Sequence, residues 1–537
     1  MPGYLSLVLH AHLPFVRHPE HERFLEETWL FEAITEAYIP LLQLLERWRR
    51  DGLDTRLTLT LTPTLCSMLL DPLLQARYER HLNELIDLAG KEIQRTSLNQ
   101  PFHALALFYQ ERFTVARDAY LGCGRDLVGA FRQFQDLGQL EILTSAATHA
   151  LLPLLADHQP SLRAQILVAR DHYRTCFGRE PRGLWLPECA YAESLDGVLQ
   201  AANIRWVITD THGILHAEPQ PRYATFAPLF TPRGIAAFGR DAESARQVWS
   251  RHQGYPGDPR YRDFYRDIGF DLDFDYVKPY LSAPGQRGFT GIKYHCITGR
   301  SADKQVYDRP AALQAAEEHA DQFLAARNAQ ILSLAGVLDR PPLLVAPYDA
   351  ELFGHWWYEG PEFLDFVVRK ACGDQQNLTL ITPAEYLQRH PTNQVATPSA
   401  SSWGEGGYWR VWLNEKNEWI YPHLRVAQER MTELARRFSC GAVVSPVGTD
   451  PSSPRSLQER ALRQAARELL LAQASDWPFI LRSGTSPDYA RKRVKDHLLR
   501  FTTLYDQLTA TRVDEQWLGN IEGMDNIFPA VDYRYWA

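Results

Sequence analysis

The chain holds 537 residues, 45% of them apolar and 23% charged, with a net charge of −8. That length exceeds one ordinary domain and the composition is that of a globular protein. The mild, dispersed negative charge excludes a nucleic-acid-binding stripe, and no run approaches the roughly 18 uncharged apolar residues of a membrane span.

In chain order, short apolar runs break repeatedly into a polar or ionisable residue. They are YLSLVLHAH (4–12), RLTLTLTPT (56–64), LEILTSAATH (140–149), GLWLPE (183–188), IRWVITDTH (204–212), GIAAFGRD (234–241) and LLVAPYDAE (343–351). Leucine-rich and β-branched runs of this kind, separated by helical stretches, predict buried parallel strands. Helical patterns fill the gaps at 26–50, 72–95, 105–137, 160–175 and 310–335. The expected class is α/β, a large barrel of TIM type. The segment 213–290, dense in Pro, Gly, Arg and aromatics, predicts an excursion from the barrel. HPTNQVATPSASS (390–402) predicts a boundary, giving a catalytic domain over 1–395 and a C-terminal domain over 396–537. The latter reads as wholly helical (421–438, 455–475, 488–510), with a loop at 439–456. A strand entered at Tyr4 leaves no room for a signal peptide. Seven scattered cysteines without CxxC spacing point to reduced thiols in a cytoplasm.

Loops that follow barrel strands converge at one end, so the residues ending these runs form an inventory of site candidates. They are His10, His12, Thr62, Thr148, His149, Glu188, Asp210, His212, Arg240, Asp241, Asp349 and Glu351. Glu188 and Asp349 each follow an apolar strand. Two carboxylates from different strands suit glycosidic chemistry, in which one attacks the anomeric carbon and the other protonates the leaving oxygen. For Glu188 the bland alternative is a helix-capping carboxylate. His10 and His12 point the same way from one strand. They fit either two metal ligands, with His149 and Asp349 as further candidates, or neutral imidazoles that bind sugar hydroxyls; the non-metal account is preferred. Arg260, Arg262, Arg266 and Asp267 suit equally an exposed ion-paired helix or an Arg–Asp arrangement beside a sugar cleft. The chain also carries 14 Trp and 24 Tyr, with Trp403, Trp409, Trp412 and Trp419 crowded into a glycine-rich stretch. Flat indoles with a polar edge suit the C–H faces of sugars.

HAHLP (10–14), TSAATHALLPLL (144–155), WLPECAY (185–191), YDAELFGHWWYEGPEFL (348–364), SWGEGGYWRVWLN (402–414) and SDW (475–477) together resemble glycoside hydrolase family 57, and within it the 1,4-α-glucan branching members. The resemblance covers nearly the whole chain. It implies a distorted (β/α)7 barrel with an inserted loop and helical subdomain and a C-terminal all-helical domain. It implies Glu188 as nucleophile of a retaining double displacement and Asp349 as general acid/base. His10, His12, Trp29, His149, Arg266, Gly285, Trp403, Trp412 and Asp476 would bind substrate, Trp403 and Trp412 as an aromatic wall. A lid would lie at 225–245. Branching members carry a tyrosine there; this chain has Phe226, Phe230 and Phe238. An α-1,4-glucan would be donor and acceptor, with no metal or cofactor, no nucleic acid and no membrane, and the protein a monomer. An α-amylase-like hydrolase, a 4-α-glucanotransferase, a metal-dependent deacetylase or amidohydrolase built on the HxH strand, and a non-catalytic glucan binder remain open alternatives.

Overall fold

A computed structural model describes residues 3–250, 254–282, 285–299, 303–373, 377–439 and 454–537. Its strands are β1 (Gly3–Ala11), β2 (Leu57–Leu61), β3 (Leu140–Leu143), β4 (Gly183–Leu184), β5 (Trp206–Thr209), β6 (Leu229–Phe230), β7 (Ala236–Gly239), β8 (Leu343–Asp349) and β9 (Leu378–Leu380). Each of the seven expected runs contributes a strand; β6 and β9 are additional. The chain divides into two compact units. One comprises Met1–Leu59, Leu69–Ile142 and Asp241–Tyr386; the other comprises Thr60–Met68, Leu143–Arg240 and Leu387–Ala537.

The first unit is built on a sheet ordered β3-β2-β1-β8, with β9 also paired to β1. β1 and β8 run parallel, in register from Tyr4 opposite Leu343 to His10 opposite Asp349. All five residues of β2 are buried, as a strand covered on both faces requires. The helical pattern at 26–50 is interrupted. Helices Glu27–Ala33 and Ile39–Arg50 flank a π-turn at Ile34–Tyr38. Pro40 accounts for the widening, because its ring would collide with the carbonyl of Glu36 in a regular α-helix.

The second unit carries a sheet ordered β4-β5-β7-β6, parallel except for β6. Within the stretch 213–290, expected as an excursion, the strand expected at 234–241 is present: Ala236–Gly239 is a buried sheet strand, paired with Trp206–Thr209. The segment 225–245, the expected lid, holds the β6–β7 hairpin and the start of helix Ala242–Trp249, capped by Asp241. Its hairpin turn at 231–234 lies at the N-terminal edge of β7, while Thr225, packed at Gly239, and Arg240 lie at the C-terminal edge.

The expected boundary at 395/396 is not where the units divide. The Pro/Thr/Ser stretch is laid along the second unit by bridges pairing Phe230 with Val395, Glu218 with Thr397 and Tyr191 with Ser401. The C-terminal part is helical as expected, with helices Ile420–Ser439, Pro454–Ala472, Asp476–Ser483, Pro487–Thr509 and Glu515–Met524. Nearly all of the expected loop at 439–456 lies outside the described residues.

Candidate active site

In the second unit, β4 is two residues long, and the chain after it turns sharply. Trp185 N–H donates to Thr144 O (2.9 Å), and Cys189 N–H closes a single turn on Leu186 O (2.9 Å). Glu188 and Cys189 adopt left-handed φ values of 63° and 50°, and His149 one of 54°. Such conformations cost about 1–3 kcal/mol each for residues with a Cβ, and they persist where the surroundings over-determine them. Here they aim side chains at one spot. His149 Nδ1 lies 4.0 Å from Glu188 Oε1 and 2.9 Å from Ser475 Oγ. Trp403 Nε1–H donates to Glu188 Oε2 at 2.6 Å, and Trp403 N–H to Glu188 O at 3.0 Å. Ser475 N–H donates to His149 O (3.2 Å), and half-buried Asp476 begins the helix that follows. Glu188, His149, Trp403 and the Ser475–Asp476 corner thus come together. The helix-capping alternative for Glu188 is answered by Trp403, which occupies the carboxylate.

Trp412 is a correction. It is 1% exposed and packs with Leu151 and Ala190, so its ring belongs to a core cluster and presents no open face to sugar. Its ring also fills the space above Gly404, where an added Cβ would sit 2.6 Å from it. Trp412 thus shapes the turn that carries Trp403.

In the first unit, β1 and β8 end side by side, placing His10 opposite Asp349. His10 is buried, and burial, with a smaller contribution from His12, holds its pKa well below the usual imidazole range. It is a neutral ring, stacked on His12 at a centroid separation of 5.9 Å. Glu351, two residues beyond Asp349, is buried; Tyr38 O–H (2.5 Å) and His12 N–H (3.1 Å) both donate to its Oε1. Burial first and the Asp349 charge second push Glu351 up to about 8, so at neutral pH it is an uncharged carboxylic acid. Tyr38 reaches it from the π-turn. Gly354, at φ 117°, lets the loop after β8 approach that turn; a Cβ there would lie 1.8 Å from Glu36 O. Glu36 itself, despite burial, is held down to about 2 by Arg262 and by His355, which donates from Nδ1 (2.7 Å).

Trp29 is half-buried on helix Glu27–Ala33. The ion-paired-helix account of the arginine cluster does not fit, since 258–267 is irregular chain. Arg260 pairs with Asp258 and Glu318, Arg262 is buried over the Tyr358 ring (3.6 Å), and Arg266 pairs with Asp271 (3.1 Å). Asp267 is buried and accepts from Thr290 and from the amides of Gly269 and Gly291. Gly285 is an exposed turn residue at φ 77°. Sequence reasoning did not find Tyr38 or Ser475: Tyr38 sits inside an apolar helical pattern, and Ser475 is one serine before a conspicuous Asp-Trp-Pro.

The pattern of glycosyl hydrolase family 57 matches residues 6–399. The chain belongs to that family. A second pattern, 1,4-alpha-glucan branching enzyme, C-terminal, matches 423–536. This family 57 chain is 31% identical to a 1,4-alpha-glucan branching enzyme of Thermococcus kodakarensis, an alignment covering 99% of this chain and 78% of the relative. Its structure superposes on that of the alpha-amylase AmyC from Thermotoga maritima with a TM-score of 0.91 at 44% identity, covering 100% of this chain and 99% of the other. The branching enzyme from Pyrococcus horikoshii gives a TM-score of 0.87 at 31% identity, covering 100% and 97%. Among the described residues no helix is long and apolar enough to cross a membrane.

Proposed function

We propose that this protein is a 1,4-α-glucan branching enzyme. The observation that carries the reading is likeness to branching enzymes over the full chain, with the C-terminal branching-enzyme pattern included. In the proposed cycle, Glu188 attacks C1 of a glucosyl unit while Asp349 protonates the departing O4. A covalent glycosyl ester forms and the reducing-end segment leaves. Asp349, now a carboxylate, removes the proton from a glucose 6-hydroxyl of a second chain; that oxygen attacks C1, expels Glu188 and leaves an α-1,6 branch. The Trp403 donor on Glu188 and neutral His10 beside Asp349 support these roles. His12, Trp29, His149, Arg266, Gly285 and Asp476 are proposed substrate contacts. The steps use no metal or cofactor, and α-1,4-glucan is both donor and acceptor. The scattered cysteines support a cytoplasmic setting, and a monomer is proposed.

Likeness to AmyC at 44% identity favours a second reading, an α-amylase-like hydrolase, in which water replaces the acceptor hydroxyl. One experiment separates them. After incubation with amylose and enzymatic debranching, new α-1,6 linkages are expected. Shorter linear chains and accumulating reducing ends alone would establish the hydrolase.

A further inference from the structure

Three strand-end residues, Asp210, His212 and Arg240, have no part in the cycle above, yet they form a connected set within the second unit, linked to Glu188 through Trp403. Arg240 follows β7 and lays its guanidinium over the Trp403 ring, 5.4 Å from the centroid. Its Nη1 donates to Asp210 Oδ2 at 3.1 Å. Asp210, which follows β5, pairs through its other oxygen with His212 Nδ1 (3.1 Å), and His212 Nε2–H donates to Gly407 O (2.9 Å). Gly407 closes the turn that carries Trp403: Ser402 N–H donates to its carbonyl (2.8 Å), and its own N–H to Gly404 O (2.9 Å). Asp210 therefore grips this turn at both ends, through a cation over the indole and through an imidazole on the far carbonyl. The edge of the indole carries the N–H that meets Glu188 Oε2.

We propose that Arg240, held by Asp210, is a positioning residue for the nucleophile and acts through Trp403. The inference rests on the assignment of Glu188 made above. Two consequences distinguish it from a merely structural role. With the indole held, the N–H donor meets the ionised carboxylate in one geometry, so losing the clamp lowers the rate of attack more than it weakens substrate binding. The Trp403 hydrogen bond favours the charged carboxylate, so losing it disfavours ionisation of Glu188. The acid limb of kcat/KM, which reports the free enzyme, then moves to higher pH.

The test uses the full chain with a maltooligosaccharide as substrate. Arg240→Gln is expected to lower kcat about 10- to 100-fold, with KM within about threefold of wild type and the acid limb displaced upward; the near-isosteric Asp210→Asn, which also removes a negative charge, is expected to lower kcat with KM likewise little changed. Arg240→Lys keeps a cation near the ring and is expected to restore part of both. Wild-type kcat in both variants would overturn the inference, and so would a fall in kcat of Arg240→Gln with no displacement of its acid limb. Glu188→Gln runs beside them. If it retained turnover, the nucleophile assignment itself would fall. If it is inactive while the other variants behave as wild type, only the inference falls.

Discussion

At Glu188 the sharpest single-atom test is the indole nitrogen of Trp403. Trp403→Phe keeps an aromatic ring over the turn and deletes an N–H that meets the carboxylate. A hydrogen bond to a charged group is worth about 1.5–3 kcal/mol, so kcat is expected to fall about 10- to 100-fold. The measurement is steady-state kinetics on amylose, and wild-type turnover would remove Trp403 from the mechanism. Glu351 gives a second residue-scale test, with the opposite sign from most carboxylates. In the fold it is pushed up to about 8, against the usual 4.5 of a glutamate in water. As pH rises between those values, the unfolded chain ionises this group while the folded protein holds it neutral, so it lowers stability progressively across that window. Glu351→Gln copies the neutral shape and still accepts from Tyr38 and from His12 N–H. Relative to wild type, the variant should gain stability between pH 5 and pH 8, by of order a few kcal/mol. Thermal unfolding at several pH values reads this directly; a constant difference in Tm would show that Glu351 is ionised throughout.

At the level of elements, sequence patterning located what burial dictates. β1 and β8 are largely apolar because both faces are covered, β2 alternates Leu with buried Thr, and the eight helical patterns each fall on helix, the 105–137 pattern resolving into two. The misses have equally local causes. β6 and β9, two and three residues long, are below the length at which a period can be recognised, and the π-turn at Ile34–Tyr38 leaves the helical period nearly intact while rotating Tyr38 toward Glu351. The carboxylates and histidines of the candidate site were legible because strand ends expose them to notice. Their tethers were not, because a tryptophan N–H or a serine hydroxyl gains its role only from a residue more than two hundred positions away. The C-terminal helices hold another case. Glu468, His497 and Asp525 meet there, fully buried, on three segments of that bundle; His497 Nδ1 is 2.7 Å from Glu468 and 3.6 Å from Asp525, and Arg493 and Arg500 also pair with Asp525. Removing His497 leaves the buried Glu468 carboxyl without its hydrogen-bond partner. His497→Leu is expected to cost about 1–3 kcal/mol in urea unfolding; an unchanged midpoint would mean the cluster relaxes without loss.

On the scale of the whole molecule, the chain passes repeatedly between its two compact units, and the C-terminal helices belong to one that also contains β4 to β7. That membership is chemical as well as geometric. Thr148 Oγ1 donates to Leu470 O, Gln165 Nε2 to Gln473, and Arg163 to Tyr535 O, while Trp536 is fully buried with its Nε1 donating to Ser161 Oγ. A chain ending at residue 395 would lose all of these partners together with Trp403 and Ser475. It would expose the apolar face of helix Gln159–Phe177 and leave the left-handed turns at His149 and Glu188 without the contacts that hold them. The composition break at 390–402 invites just that truncation, because Pro, Thr and Ser mark a segment without helix but do not reveal that it is bridged to the body beside it. The shortened chain is therefore expected to be insoluble or to lack a cooperative thermal transition. The measurement is calorimetry with limited proteolysis of the 1–395 chain against the full chain. A sharp transition near the full-length Tm would mean that the helices are an independent appendage, and the account of how Glu188 is held would have to do without them.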